Sequence, residues 1–368
     1  VATAQSVAAT YYRQQAAIAK RTARAIQSWW REVDIAAIGA SWAAIQPNAV
    51  QVVTAGQVLA AASASAYVLA QGAAQGFDAG MVGTTDPAAF AGTTASGITL
   101  EAAMGSVIAS TGQAITAGAP PSESLLSAGM RMVNLALSEV QQAGSNATHA
   151  SITMATNVTG YVRMLQTPSC PRCVILAGRV YRWSDGFQRH PRCDCVHVPY
   201  AEAAGVEDVR TNPQGYFDSL SAQEQDRIFG QANAQAIRDG ADMNQVVNIS
   251  RKKGSLYSFD LENGTRLQAT NEGTTIRQGR AGRTMAIPGR TGDGALRGPG
   301  YLERAGQARL TPRSIYQLAG DDRELAQALL SRYGYVRSGW TPDFDRSSKS
   351  LLRDMGFPAD IWTRAGNR

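Results

Sequence analysis

Little in this chain is of the kind that soluble catalysis usually needs. Its 368 residues include three histidines and four cysteines, and charged residues make up 17% of it. There is no HExxH metal motif and no glycine-rich phosphate loop ahead of a helix, which argues against zincin-type proteases and P-loop enzymes. No internal period marks a solenoid. An unbroken run of ~18 or more apolar residues is also missing, so neither a transmembrane helix nor a membrane partner is expected. The opening Val1-Ala-Thr-Ala-Gln5 lacks a basic stretch leading into an apolar one, so no signal peptide is expected, and folding in a cytoplasm is. The formal net charge is +6, with a pI of about 9.2. That is below the cationic density of a dedicated nucleic-acid binder, and it permits contact with DNA or an acidic surface without requiring it.

Because cysteine is scarce, its placement is informative. All four cysteines fall in one stretch, Cys170-Pro-Arg-Cys173 through His190-Pro-Arg-Cys193-Asp-Cys195. A Cys-x-x-Cys turn aims two sulfurs at one centre, and residues i and i+2 of an extended segment face the same side. Cys170, Cys173, Cys193 and Cys195 therefore have the spacing of a tetrahedral structural Zn²⁺ site, with His190 as an alternative to Cys193 or as a supporting group. Leu176 to Trp183 is expected to form a tight turn and short strand, and Val196 to Pro199 a second strand, giving a zinc-ribbon-like hairpin. Two disulfides are the main rival, and a catalytic cysteine with His190 as its base is a third reading. Simple burial of apolar cysteines accounts for neither the clustering nor the interleaved Pro, Arg and Asp.

The expected fold is mostly α. It comprises a helical N-terminal half (1–145), a small α+β central domain with the zinc clip (146–250), an irregular Arg/Gly-rich linker or set of hairpins (251–305) and a helical C-terminal tail (306–368). The first helix is predicted from Thr3 to Val33, with Tyr11, Ile18, Ile26, Trp29 and Trp30 in a broad apolar stripe and Arg13, Lys20, Arg21, Arg24 and Arg31 between them. Trp29, Trp30 and Trp42 are read as helix-packing aromatics. A second helix, almost without charge, is expected from Ala49 to Gln71 after Pro47. Residues 78–100 read as a long connection, and a helix follows over Leu100–Ala117. Pro120-Pro121 breaks the pattern before a helix to about Ala143. Gly144-Ser-Asn146 is expected to turn, and Ala147–Leu165 to be the helix entering the clip. Later, Ser221-x-x-Glu224 is a capping box for a helix to about Asp239. A short helix is expected at 242–247, strands at 255–259 and 274–278, and helices from Thr311-Pro312 and from Asp321.

The run Cys170-Pro-Arg-Cys173, Leu176-Ala-Gly178, Tyr181, Phe187, His190-Pro191-x-Cys193-x-Cys195 and Pro199 resembles the phage Mu F-type minor head proteins, the head morphogenesis family of tailed phages, over about 30 residues. The N-terminal half is similar to minor capsid proteins of actinobacterial phages, whose relatives often carry the label capsid maturation protease. The resemblance implies a minor capsid protein in the phage head near the portal. Such a protein is synthesised in the host cytoplasm, contacts portal, major capsid and scaffold proteins, and is ejected with DNA in some cases. A weak DNA contact through the Arg-rich stretch Arg251–Arg313 is a further expectation.

A protease also needs a nucleophile, a base and an orienting group. His149 and Ser151 stand two apart on a helix and cannot face each other. Ser106, Ser110 and Ser127 are more distant candidates, with nothing in the sequence to select one. A Cys-rich tetrahedral site leaves no open position for hydrolysis. The residues alone therefore leave catalysis unsupported; with the resemblance, an assembly protein is the first expectation and a capsid maturation protease the alternative.

Overall fold

The computed structural model describes residues 2–166, 168–186, 195–202, 210–260, 264–272, 287–288, 302–303 and 309–336. The protein is mostly helical, as the pattern predicts. It divides into two compact units, 1–213 and 214–368.

The first unit begins with helix α1 (Ala4–Trp30), opened by a capping box between Thr3 and Ser6. Its buried residues, Ala4, Ala8, Tyr11, Gln15, Ala19, Thr22 and Ile26, recur every three or four positions and form one face. Helices α2 (Ile38–Ala62) and α3 (Ala64–Ala74) follow, separated by a break at Ser63. The expected start of α2 after Pro47 is corrected: Pro47 lies inside the helix, which begins at Ile38. One lost amide donor is tolerated because α2 packs along α1, α4 and α5. No Asp, Glu, Lys or Arg occurs between Asp34 and Asp78. By length and composition alone the span Ile38–Ala74, of mean hydropathy 1.5, could cross a membrane, yet half of it is buried in the unit. An unbroken-run criterion misses it because Gln, Ser and Thr interrupt the apolar residues.

A connection with one 3₁₀ turn (Pro87–Phe90) leads to α4 (Leu100–Thr116), capped by Thr99, and then to α5 (Pro121–Thr153) with proline at its first position. The turn expected at Gly144-Ser-Asn146 is instead helical. Gly144 faces Gln15 so closely that a Cβ there would lie 2.2 Å from Oε1, so this glycine serves helix packing. Ile26, Trp42, Val53, Met104, Met132 and Val140 share the core of this bundle. Trp30 and Trp42 meet with ring centroids 5.8 Å apart, in the packing role expected of them.

The helix expected over Ala147–Leu165 is also corrected. α5 ends at Thr153, and Gly160–Met164 is strand β1. Thr156, Val158, Thr159 and Val162 with Tyr161 supply the β-branched and aromatic residues that favour this outcome. β1 is the middle of an antiparallel sheet. β2 (Val180–Arg182) pairs Gly160 with Arg182, and β3 (Val196–Tyr200) pairs Gly160 with Tyr200 and Met164 with Val196. Short helix α6 (Pro171–Leu176) joins β1 to β2. The sheet has no core of its own: Val162, Met164, Val196 and Val198 share one cluster with Ala4, Ala8, Tyr67, Val68 and Ile152. Residue 145, an expected domain edge, falls inside α5.

The second unit contains α7 (Pro213–Ser219), α8 (Ala222–Phe229), α9 (Gln231–Arg238) and α10 (Met243–Val247). The Ser221/Glu224 capping box forms as predicted, but the single helix expected to Asp239 is two, because Gly230 adopts φ +85°. Strands β4 (Leu256–Asp260), β5 (Arg266–Thr270) and β8 (Arg309–Leu310) form an antiparallel sheet, and β6 (Ile287–Pro288) pairs with β7 (Leu302–Glu303). Helices α11 (Pro312–Ala319) and α12 (Arg323–Arg332) are capped by Thr311 and Asp322. The strand expected at 274–278 and the tail beyond 336 lie outside the described residues.

Candidate metal centre

The first cysteine pair sits where β1 gives way to α6. Cys170 is the N-cap of α6 in extended conformation (φ −70°, ψ 156°), with Pro171 in the first turn. The Cys170 Sγ accepts the backbone N–H of Cys173 at 3.4 Å. Cys173 is buried in the same turn, and Cys195 is buried immediately before β3. The exit from α6 is fixed by Gly178 at φ +66°, whose N–H donates to the Arg163 carbonyl. A Cβ on Gly178 would lie 2.4 Å from the Thr211 carbonyl oxygen, and Arg210 donates to the Gly178 carbonyl at 2.9 Å.

Cys170, Cys173 and Cys195 thus come from the two segments flanking the sheet, one on the β1–β2 connection and one at the entry to β3. Cys193 and His190 lie outside the described residues. Among the described residues no group of three or more His, Cys, Asp or Glu side chains is placed to hold a metal ion. The donor types, thiol sulfur with an imidazole nearby in sequence, are those that suit Zn²⁺.

Sequence reasoning missed a polar seam behind the sheet. The Ser145 Oγ of α5 lies 3.4 Å from His197 Nδ1 of β3. The Tyr67 hydroxyl donates to the His197 carbonyl at 2.7 Å. Gln71 donates to the Ala4 carbonyl and to the Tyr67 hydroxyl, and Gln75 to the Pro199 carbonyl. Tyr11 and Tyr67 stack with centroids 4.0 Å apart, and burial pushes the Tyr67 phenol well above its ordinary range. The available signal was Tyr11 and Gln15, polar groups four apart on the buried face of α1. On the same face as His197, buried Tyr161 stacks on Tyr181 and meets the edges of His149 and His197, and its hydroxyl donates to the Asp185 carbonyl.

The Ser145–His197 contact opens on a cavity of about 30 Å³ lined by Tyr11, Gln15, Ser145, Thr148, Cys195 and His197, among others. That space suits one or two waters and no peptide, and among the described residues its lining holds no carboxylate. His149 Nε2 is 3.2 Å from the Trp183 carbonyl oxygen. Ser106 and Ser110 donate to carbonyls of their own helix, and Ser127 is exposed on α5. Among the described residues, none of these three serines meets a histidine.

The second unit has a hollow of about 1060 Å³, lined in part by Gln235, Arg238, Asp239, Arg313, Tyr316 and Arg323. Its three arginines are offset by Asp239, Asp321 and Asp322, and the Tyr316 hydroxyl donates to Asp239 at 2.6 Å. Arg309, inside the stretch expected to touch DNA, is buried. It donates to the Tyr333 carbonyl and to Gln245, and it lies over the Tyr335 ring.

Neither the curated proteins nor the solved structures contain a match to this chain. The VG15 protein family matches residues 2–222, which takes in the whole first unit, its cysteine-bearing sheet included. With more than half of its length matched, the chain belongs to the VG15 protein family, a family of phage and viral gene products.

Proposed function

We propose that this chain is a minor capsid protein of a tailed phage, acting in head morphogenesis near the portal, with a structural Zn²⁺ held by Cys170, Cys173, Cys195 and either Cys193 or His190. The observation that carries the proposal is the placement of the cysteines. Cys170 and Cys173 on one side and Cys195 on the other bracket a sheet that shares its core with the N-terminal helices. A metal bound there would supply only crosslinking, tying the β1–β2 connection to the entry of β3. Residues at such a position act on the shape of an assembly unit. The viral family and the Cys-x-x-Cys with His-Pro-x-Cys-x-Cys pattern support the same reading. Its partners would be portal, major capsid and scaffold proteins, and its place the interior of the virion head.

The capsid maturation protease reading gains little from the geometry. The Ser145–His197 contact is buried, and its cavity is too small for a peptide.

Mass spectrometry of purified particles, with zinc quantified on the isolated chain, tests the proposal. We expect the chain in particles at low copy number, about one zinc per chain, and capsid subunits of unchanged length when the gene is inactivated. Particles lacking the chain, or capsid subunits left untrimmed only in its absence, would reject the assembly reading.

A further inference from the structure

The outer face of α1 has no role in the core. All five cations of this 27-residue helix, Arg13, Lys20, Arg21, Arg24 and Arg31 at its C-cap, are exposed, and the helix itself carries no acidic residue. At 100° per residue, Arg13, Lys20, Arg24 and Arg31 fall within about 20° of one line, opposite the buried stripe. They span about 27 Å at 1.5 Å per residue. Arg13 bonds the Ala9 carbonyl and Thr10, while Lys20, Arg21, Arg24 and Arg31 make no ion pair among the described residues. Glu32 and Asp34 are the acidic groups next in the chain, past the end of the helix.

This arrangement works against the helix. Like charges three and four apart, such as Arg21 with Arg24 and Lys20 with Arg24, destabilise it. Among the described residues, no acidic side chain of the first unit pairs with Lys20, Arg21, Arg24 or Arg31. What lies beside and between them on the same face is Ser6, Thr10, Ala17, Gln27 and Ser28, with no aromatic or large aliphatic side chain. Protein interfaces are anchored by such residues, often aromatic. Phosphate backbones are held instead by Arg and Lys with Ser, Thr and Gln beside them.

We propose that the exposed face of α1 is a sequence-independent binding surface for the phosphate backbone of duplex DNA. It is distinct from the Arg251–Arg313 stretch and independent of the metal clip. Each cation takes one phosphate and releases condensed counterions, so affinity falls with salt in proportion to the number of contacts.

The test uses the full chain and fluorescence anisotropy with two 30-base-pair duplexes of unrelated sequence, from 50 to 200 mM salt. The parent is expected to bind both duplexes equally. The variant Arg13→Gln/Lys20→Gln/Arg24→Gln/Arg31→Gln is expected to lower the log–log salt slope by about 3.6 and to weaken binding roughly tenfold or more. Arg24→Gln alone is expected to lower the slope by about 0.9. Its melting temperature should stay level or rise, because a like-charge pair is relieved. That combination of weaker binding with undiminished stability is not what a structural role would produce. Absence of binding at 50 mM salt overturns the proposal. So does a quadruple variant that keeps the parent slope, or a slope lost with Arg251→Gln/Lys252→Gln/Lys253→Gln while α1 is intact. If the quadruple variant binds DNA normally but loses co-purification with an acidic capsid protein, the face is a protein interface and the DNA assignment is wrong.

Discussion

The Tyr67 hydroxyl on α3 donates to the carbonyl of His197 on β3 at 2.7 Å, 130 residues away in the chain. This bond joins the charge-free helical part of the first unit to the sheet that follows the cysteines. Both partners are buried.

Tyr67→Phe removes the donor and leaves the carbonyl buried, with the Gln71 amide deprived of one acceptor. We expect a loss of about 1–3 kcal/mol. Denaturant unfolding measures it directly, and an unchanged midpoint would show that the bond contributes nothing.

Cys173→Ser is expected to abolish zinc binding and to lower the melting temperature of the first unit, since metal binding and folding are coupled. A strong chelator should have the same effect on the parent and none on the variant. Parent and variant with equal metal content and equal melting curves would refute a structural zinc.

Gly56 lies where α1, α2 and α5 approach one another. A Cβ there would meet Thr22 Oγ1 at 2.4 Å and Val140 Cγ2 at 2.9 Å. Alanine gains up to about 1 kcal/mol in helix propensity but must push two buried side chains apart. Overpacking costs about 1–3 kcal/mol, so Gly56→Ala is expected to destabilise the unit on balance. A rise in the unfolding midpoint would show that the helices can separate at little cost.

Glu139 on α5 is half-buried. Burial raises its pKa above the ordinary value, and the hydrogen bond it accepts from the Ala95 N–H at 2.7 Å opposes that shift. A carboxyl whose folded pKa is raised holds its proton more tightly in the native state. Its charge therefore weighs against folding above that pKa, and the penalty is relieved as pH falls through it. Glu139→Gln should melt higher than the parent at pH 7, with the gap closing as pH drops toward the ordinary carboxylate range. A gap that widens toward low pH would contradict this assignment.

Helix positions were legible where caps and apolar periodicity coincide. Ser221 and Thr311 open helices where their capping and proline signals place them. Departures occurred where tertiary packing overrides a local signal. Pro47 and Gly144 look like breakers, yet both lie inside helices held by neighbours. Gly230 breaks a helix because its backbone turns to positive φ, which periodicity alone does not reveal. The Cys-x-x-Cys spacing matches a single turn, with Cys170 capping the helix that holds Cys173, while Cys193 lies outside the described residues. The Ser145–His197 seam was not legible, because a strand and a helix 52 residues apart create it and no local pattern marks either residue.

The core shared by α1 and β3 also constrains the order in which the chain can fold. Ala4 and Ala8 are covered in part by the cluster that includes Val196 and Val198, so this packing waits until the chain has been synthesised through β3. Until then the apolar stripe of α1 must rest on α2, α3 and α5 alone. The sheet strands, arriving last, close the unit over an already assembled bundle. High contact order at this seam predicts slow completion of folding.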